Sequence, residues 1–125
     1  MTIDDRDPVT TAPMRKVGGS FRTGVHAEVR NLTTAEGGQE WAFFWNPEPG
    51  EIVMRRAAIG LVGLDFRLIP CGVNIIRDHN RNRNIAIPDN CSDRSQIKDG
   101  EPWEWSVIDE NTLAIRPAAP AASER

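Results

Sequence analysis

Apolar residues recur at every second position of this chain, in short runs interrupted by turn-forming residues. That period is the strongest constraint on its fold. The clearest run is VGLDFRL, residues 62–68, where Val62, Leu64, Phe66 and Leu68 fall on one side and Gly63, Asp65 and Arg67 on the other. Successive strand side chains point to opposite faces, so the pattern is that of a half-buried β-strand. GVHAEVRN alternates in the same way, with Val25, Ala27 and Val29 against His26, Glu28 and Arg30; after TTAEGG it is followed by QEWAFFWN, which predicts a hairpin. PWEWSVI and TLAIRP flank Asp109-Glu110-Asn111 and predict a second hairpin, with Asn111 suited to a left-handed turn position. GVNII and NIAIP predict strands on either side of the polar stretch RDHNRNRN, residues 77–84. In PGEIVMRRAAIG a helix over residues 51–59, with Glu51 and Arg55 paired at i, i+4, competes with a strand carried by Ile52-Val53-Met54. Gly60 and Gly63 shorten any such helix, and the strand is preferred.

About seven short strands separated by turns indicate a mainly β fold, a single β-sandwich or barrel with room for one short helix. A chain of 125 residues holds one modest core. Residues 1–19, with Asp4, Asp5, Asp7, Pro8, Pro13 and Gly18-Gly19, read as a flexible arm; residues 20–116 form the β domain; residues 117–125 are a Pro/Ala-rich tail.

The net charge is −3, which gives the molecule as a whole no attraction to nucleic acid or an anionic membrane. The charge is uneven: residues 1–50 carry −2, residues 51–94 carry +2 and residues 95–125 carry −3. Thirteen of the 15 basic residues are arginine, whose planar fork suits carboxylates and phosphates, although a GC-rich coding sequence produces the same bias. The apolar region of residues 57–76 is broken by Asp65, Arg67 and Pro70, so no membrane span is predicted. MTIDDRDPVT is acidic and polar, unlike a signal segment. The expected location is therefore cytoplasmic or within a virion, with Cys71 and Cys91 reduced.

RDHNRNRN holds three arginines, three asparagines, a histidine and an aspartate, and no apolar side chain. One reading is a basic finger in which Arg77, Arg81 and Arg83 contact phosphates. The other is a polar connection between strands, solvated or touching a neighbouring subunit. Asp78 subtracts charge and no aromatic is interleaved for stacking, which favours the contact loop.

Trp41, Phe43 and Trp45 share one face of their predicted strand, while Ala42 and Phe44 occupy the other. A strand apolar on both faces needs a second covering layer, either the opposite sheet and an arm or another subunit. Trp103 and Trp105 likewise share a face with Val107. Tryptophans exposed in a row would form a stacking platform for sugars, but tryptophan is also a large core residue.

Catalytic patterns are weak. Cys71, His79 and Cys91 have the spacing C-x7-H-x11-C, which matches no zinc pattern, and neither a GxSxG elbow nor a phosphate-binding glycine loop occurs. No cofactor or metal is expected. The favoured function is a non-enzymatic structural or assembly protein, for example a bacteriophage virion component (capsid, decoration or tail), acting through subunit contacts at Arg77, Arg81, Arg83, Trp41 and Trp45. The alternative is a small binding module, for nucleic acid through the Arg/Asn loop or for carbohydrate through the tryptophan face. A small enzyme of unknown reaction ranks third.

Overall fold

Strand alternation places the large side chains of QEWAFFWN and PWEWSVI on one side of a sheet, and the fold follows from where that side is buried. The computed structural model describes residues 8–48, 50–61, 63, 67–79 and 82–118. In chain order these form β1 (Thr10–Pro13), β2 (Arg15–Val17), β3 (Ser20–Gly24), α1 (Ala27–Arg30), β4 (Glu40–Asn46), β5 (Glu51–Arg56), β6 (Ile69–Ile75), β7 (Arg77–His79), β8 (Asn82–Ile87), α2 (Asp89–Ser95), β9 (Pro102–Asp109) and β10 (Thr112–Pro117). A 3-10 turn occupies Ala57–Ile59. The strands make two antiparallel sheets, one of six in the order β1-β9-β10-β5-β4-β6 and one of four in the order β2-β3-β8-β7. The protein is mainly β and sandwich-like, and the sheets do not close into a barrel.

The core lies between the sheets. Trp41, Phe43, Ile52, Met54, Trp103, Trp105, Leu113 and Ile115 come from the larger sheet, Ile85 and Ile87 from the smaller. The opposite face of the larger sheet is also covered: Phe44, Val53 and Ala114, neighbours across β4, β5 and β10, are all buried. The apolar character of both faces of QEWAFFWN is thereby explained within one chain.

Residues 10–17, expected to belong to an arm, are instead integral. β1 pairs with β9, and Pro13 faces Pro102 at the end of that ladder, where neither residue has an N–H to leave unpaired. Met14, fully buried, then carries the chain from the edge of the large sheet into β2 at the edge of the small one. Ile76 does the same on the other flank, between edge strands β6 and β7. Its N–H donates to the Gln39 carbonyl at 2.9 Å, and the Gly38 N–H donates to the Ile76 carbonyl at 2.8 Å. Two bent strands thus join the sheets along both sides, which protects their edges. The Asp- and Gly-rich composition of residues 1–19 hid the short apolar alternation Ala12, Met14 that makes this possible.

Other expectations change as well. GVHAEVRN is not a strand: β3 ends at Gly24 and residues 27–30 form α1, burying Val25 and Val29. Val25 and Val29 stand four apart, a spacing that also fits a helical turn, and over so short a window the two periods coincide. For VGLDFRL, the described Gly63 and Arg67 are in turns, while Val62, Leu64, Asp65 and Phe66 lie outside the described residues. β5 and β6 flank β4 and both run antiparallel to it, so the connection between Arg56 and Ile69 has to return from the Trp41 end of β4 to the Trp45 end. Residues 51–56 are the preferred strand, and the β9–β10 hairpin forms as expected. Asn111 is not left-handed, however; among the described non-glycine residues only Gln96, capping α2, has positive φ. The Asn111 N–H donates to Asp109 Oδ1 at 2.8 Å, and Asn111 Oδ1 accepts from Thr34 Oγ1 at 2.7 Å.

The tryptophans differ in their polar edges. Trp103 Nε1 donates to Glu101 Oε1 at 2.9 Å, whereas among the described residues the buried Nε1 of Trp105 has no hydrogen-bond partner. Substitution with phenylalanine at each position is therefore expected to cost about 1 kcal/mol more at Trp103 than at Trp105, because only there is a hydrogen bond lost. Urea denaturation of the two variants checks this difference.

Cys71 on β6 and Cys91 on α2 are both buried and free. Burial first, and then the adjacent Cys71 thiol, push the Cys91 thiol far above its ordinary range. Below the unfolded-state value near pH 8.5 both states hold the proton. Above it the unfolded chain releases the proton while the folded protein retains it, so stability is expected to fall by at most about 1.4 kcal/mol per pH unit from this group. Denaturant midpoints of wild type and Cys91→Ala, measured from pH 7.5 to about 10, should show a steeper decline in wild type.

Candidate docking face

Ile85 and Ile87 point into the core, so the even-numbered residues of β8 face outward. Register then assembles the outer face. Arg15 of β2 lies opposite Arg22 of β3, which lies opposite Ala86 of β8. In the next outward-facing row Gly24 is opposite Asn84, and Asn84 is opposite Arg77 of β7. Val17 and Ser20 form a further pair on the same side of β2 and β3. Three arginines from three strands therefore share one surface, with Arg22 half-buried at its centre.

Arg22 donates from its guanidinium to Asn84 Oδ1 at 2.6 Å, a contact to a neutral amide that fixes its direction. Arg83 projects to the other side of β8 and pairs with Asp78 at 2.8 Å. Among the described residues no carboxylate forms an ion pair with Arg15, Arg22 or Arg77. Arg22 separates two open clefts. One, of about 570 Å³, is lined by Arg15, Arg22, Arg30, Arg83 and His26 among others, with Glu28 its single acidic member. The second, of about 890 Å³, runs past Val17, Gly38, Ile75 and Arg77. Glu40 lies along a smaller recess beside Arg22 and Arg77 without bonding to either. The face is joined to the large sheet where Asn74 Nδ2 of β6 donates to the Ala86 carbonyl of β8 at 2.7 Å.

RDHNRNRN is thus not a connection between two paired strands. Its flanks, β6 and β8, belong to different sheets, and the stretch itself supplies β7 and the start of β8, which pair antiparallel with His79 opposite Asn82. Arg77 belongs to the face, Arg83 to its rim, and Arg81 lies outside the described residues. Trp41 is fully buried and is removed as an interaction residue; Trp45 is half-buried and packs against the core. Trp103 and Trp105 are fully buried too, so the tryptophans form no open platform for sugar. Arg15 and Arg22 were missed, the first because it fell in the presumed arm. The signal was present in RKVGGSFR: a Gly-Gly pair is a hairpin dipeptide, and folding the chain about Gly18-Gly19 brings Arg15 opposite Arg22.

Among the described residues no group of three or more His, Cys, Asp or Glu side chains is placed to hold a metal ion. No helix there is long and apolar enough to cross a membrane. Comparison with known proteins finds no matching family, no matching curated relative and no matching solved structure.

Proposed function

We propose that the protein acts by binding, as a non-enzymatic assembly component that docks a carboxylate-bearing surface on Arg15, Arg22 and Arg77. The observation that carries this reading is the convergence of three arginines, without carboxylate partners among the described residues, on the outer face of the four-stranded sheet. Guanidinium groups pair with carboxylates in bidentate geometry, and a face already held flat by strand pairing loses little entropy on docking. A subunit of a larger particle, such as a phage virion, is the setting proposed for it. A nucleic acid is the weaker partner: Glu40 and Asp78 border the face, and among the described residues no tryptophan or phenylalanine stands among its arginines for bases to stack on.

Fluorescence anisotropy with a labelled oligoglutamate peptide and a labelled single-stranded oligonucleotide tests this reading. Saturable binding of the peptide, weakened by salt, is expected. Tighter oligonucleotide binding with a steep salt slope would replace the assembly reading with a nucleic-acid one. Failure of both probes to bind at low salt would remove the docking function.

A further inference from the structure

The chain itself supplies a segment with the chemistry this face requires. Residues 1–7 read MTIDDRD, in which Asp4, Asp5 and Asp7 outweigh Arg6. Ile3, Asp5 and Asp7 stand at alternate positions of the sequence, one apolar and two acidic. The docking face has the complementary order. Val17, 56% exposed, follows Arg15 along the outer side of β2, and Arg22 sits directly across from Arg15. Opposed residues on neighbouring strands lie about 5 Å apart, within the reach of long arginine side chains.

Direction matters as well. β1 runs from Thr10, paired with Trp105, toward the Met14 corner from which Arg15 begins the face. Residues 1–7 therefore join the fold at the end of β1 remote from that corner, and Pro8, the first described residue, is exposed.

Resting on the docking function proposed above, we infer that the occupant of the arginine face is the acidic N-terminal segment, residues 1–7, of a second copy of this chain. Asp5 and Asp7 pair with Arg15, Arg22 and Arg77, and Ile3 covers Val17. Such a contact is heterologous: each copy offers one segment and one face, so association propagates head to tail into rings or filaments.

The test is the native molar mass of the full chain by light scattering at low salt, over a rising concentration series. Wild type is expected to grow beyond a dimer, while Asp5→Asn/Asp7→Asn and Arg22→Gln/Arg77→Gln each remain monomeric and still unfold cooperatively, with melting temperatures only modestly below that of wild type. A charge-swapped pair supplies the positive control. Asp5→Arg/Asp7→Arg and Arg22→Glu/Arg77→Glu should each stay monomeric alone and assemble head to tail in alternating order when mixed, because the swapped segment fits the swapped face and the native segment the native face. A wild type monomeric throughout, or Asp variants that assemble as wild type does, would overturn the inference. If that monomer still bound oligoglutamate through the arginines, the docking face would stand and only self-recognition would fall. Stronger oligoglutamate binding by such a monomer after deletion of residues 1–7 would mean that the segment folds back on its own face, which also overturns docking by a second copy.

Discussion

Replacing Trp41 with alanine is expected to destabilise the protein by about 3–5 kcal/mol, a large part of the total stability of a domain this size. The ring is fully buried between the sheets, beside Phe43 and Met54 in the core cluster. Its indole N–H also donates to Gln39 Oε1 at 3.2 Å, and the same Gln39 donates to the Thr34 carbonyl at 2.7 Å. Truncation therefore opens a cavity and loosens the turn of residues 34–39. Thermal or urea unfolding measures the loss directly. A near-neutral result would mean that Trp41 is available to a partner, the role its place in an apolar row suggests when the sequence is read alone.

That contrast shows which parts of the structure the sequence discloses. Alternation marks residues whose strand has one dry face, as in β8 and β9, while β4 and β10 are recognisable as short runs apolar on both faces. Residues 25–29 and 62–68 carry equally regular alternation, yet the first contains a helical turn and the described Gly63 and Arg67 of the second sit in turns. A period of two over five to seven residues reports only that apolar groups are spaced; the covering surface decides the backbone. The two sheet-switching points are harder still to read. Met14 and Ile76 are single apolar residues between polar ones, and what singles them out is burial at the junction of two sheets, a tertiary property. The docking face was half legible. Arg77 stood out in a stretch free of apolar residues, whereas Arg22 gained its meaning only from register, through Arg15 on one side and Ala86 on the other.

The second large effect concerns that face. Reversing charge with Arg22→Glu/Arg77→Glu is expected to weaken oligoglutamate binding by at least about tenfold, since each exposed ion pair is worth about 0.2–1 kcal/mol and reversal adds repulsion. Stability should fall only modestly, by about 1–2 kcal/mol for the lost hydrogen bond from Arg22 to Asn84, because neither arginine forms an ion pair with a carboxylate among the described residues and the face is open to solvent. The change therefore separates binding from folding, as Trp41→Ala cannot. Arg83→Gln provides an internal comparison: Arg83 already pairs with Asp78 at 2.8 Å, and its loss should reduce binding much less.

Anisotropy titration of labelled oligoglutamate against wild type and Arg22→Glu/Arg77→Glu, with melting temperatures recorded on the same samples, tests the central claim most directly. Loss of binding by a variant that still unfolds cooperatively, with a melting temperature only modestly below that of wild type, is the predicted result. Equal affinity of the two proteins for the probe would contradict the claim and show that the arginine face of the four-stranded sheet is not the docking site.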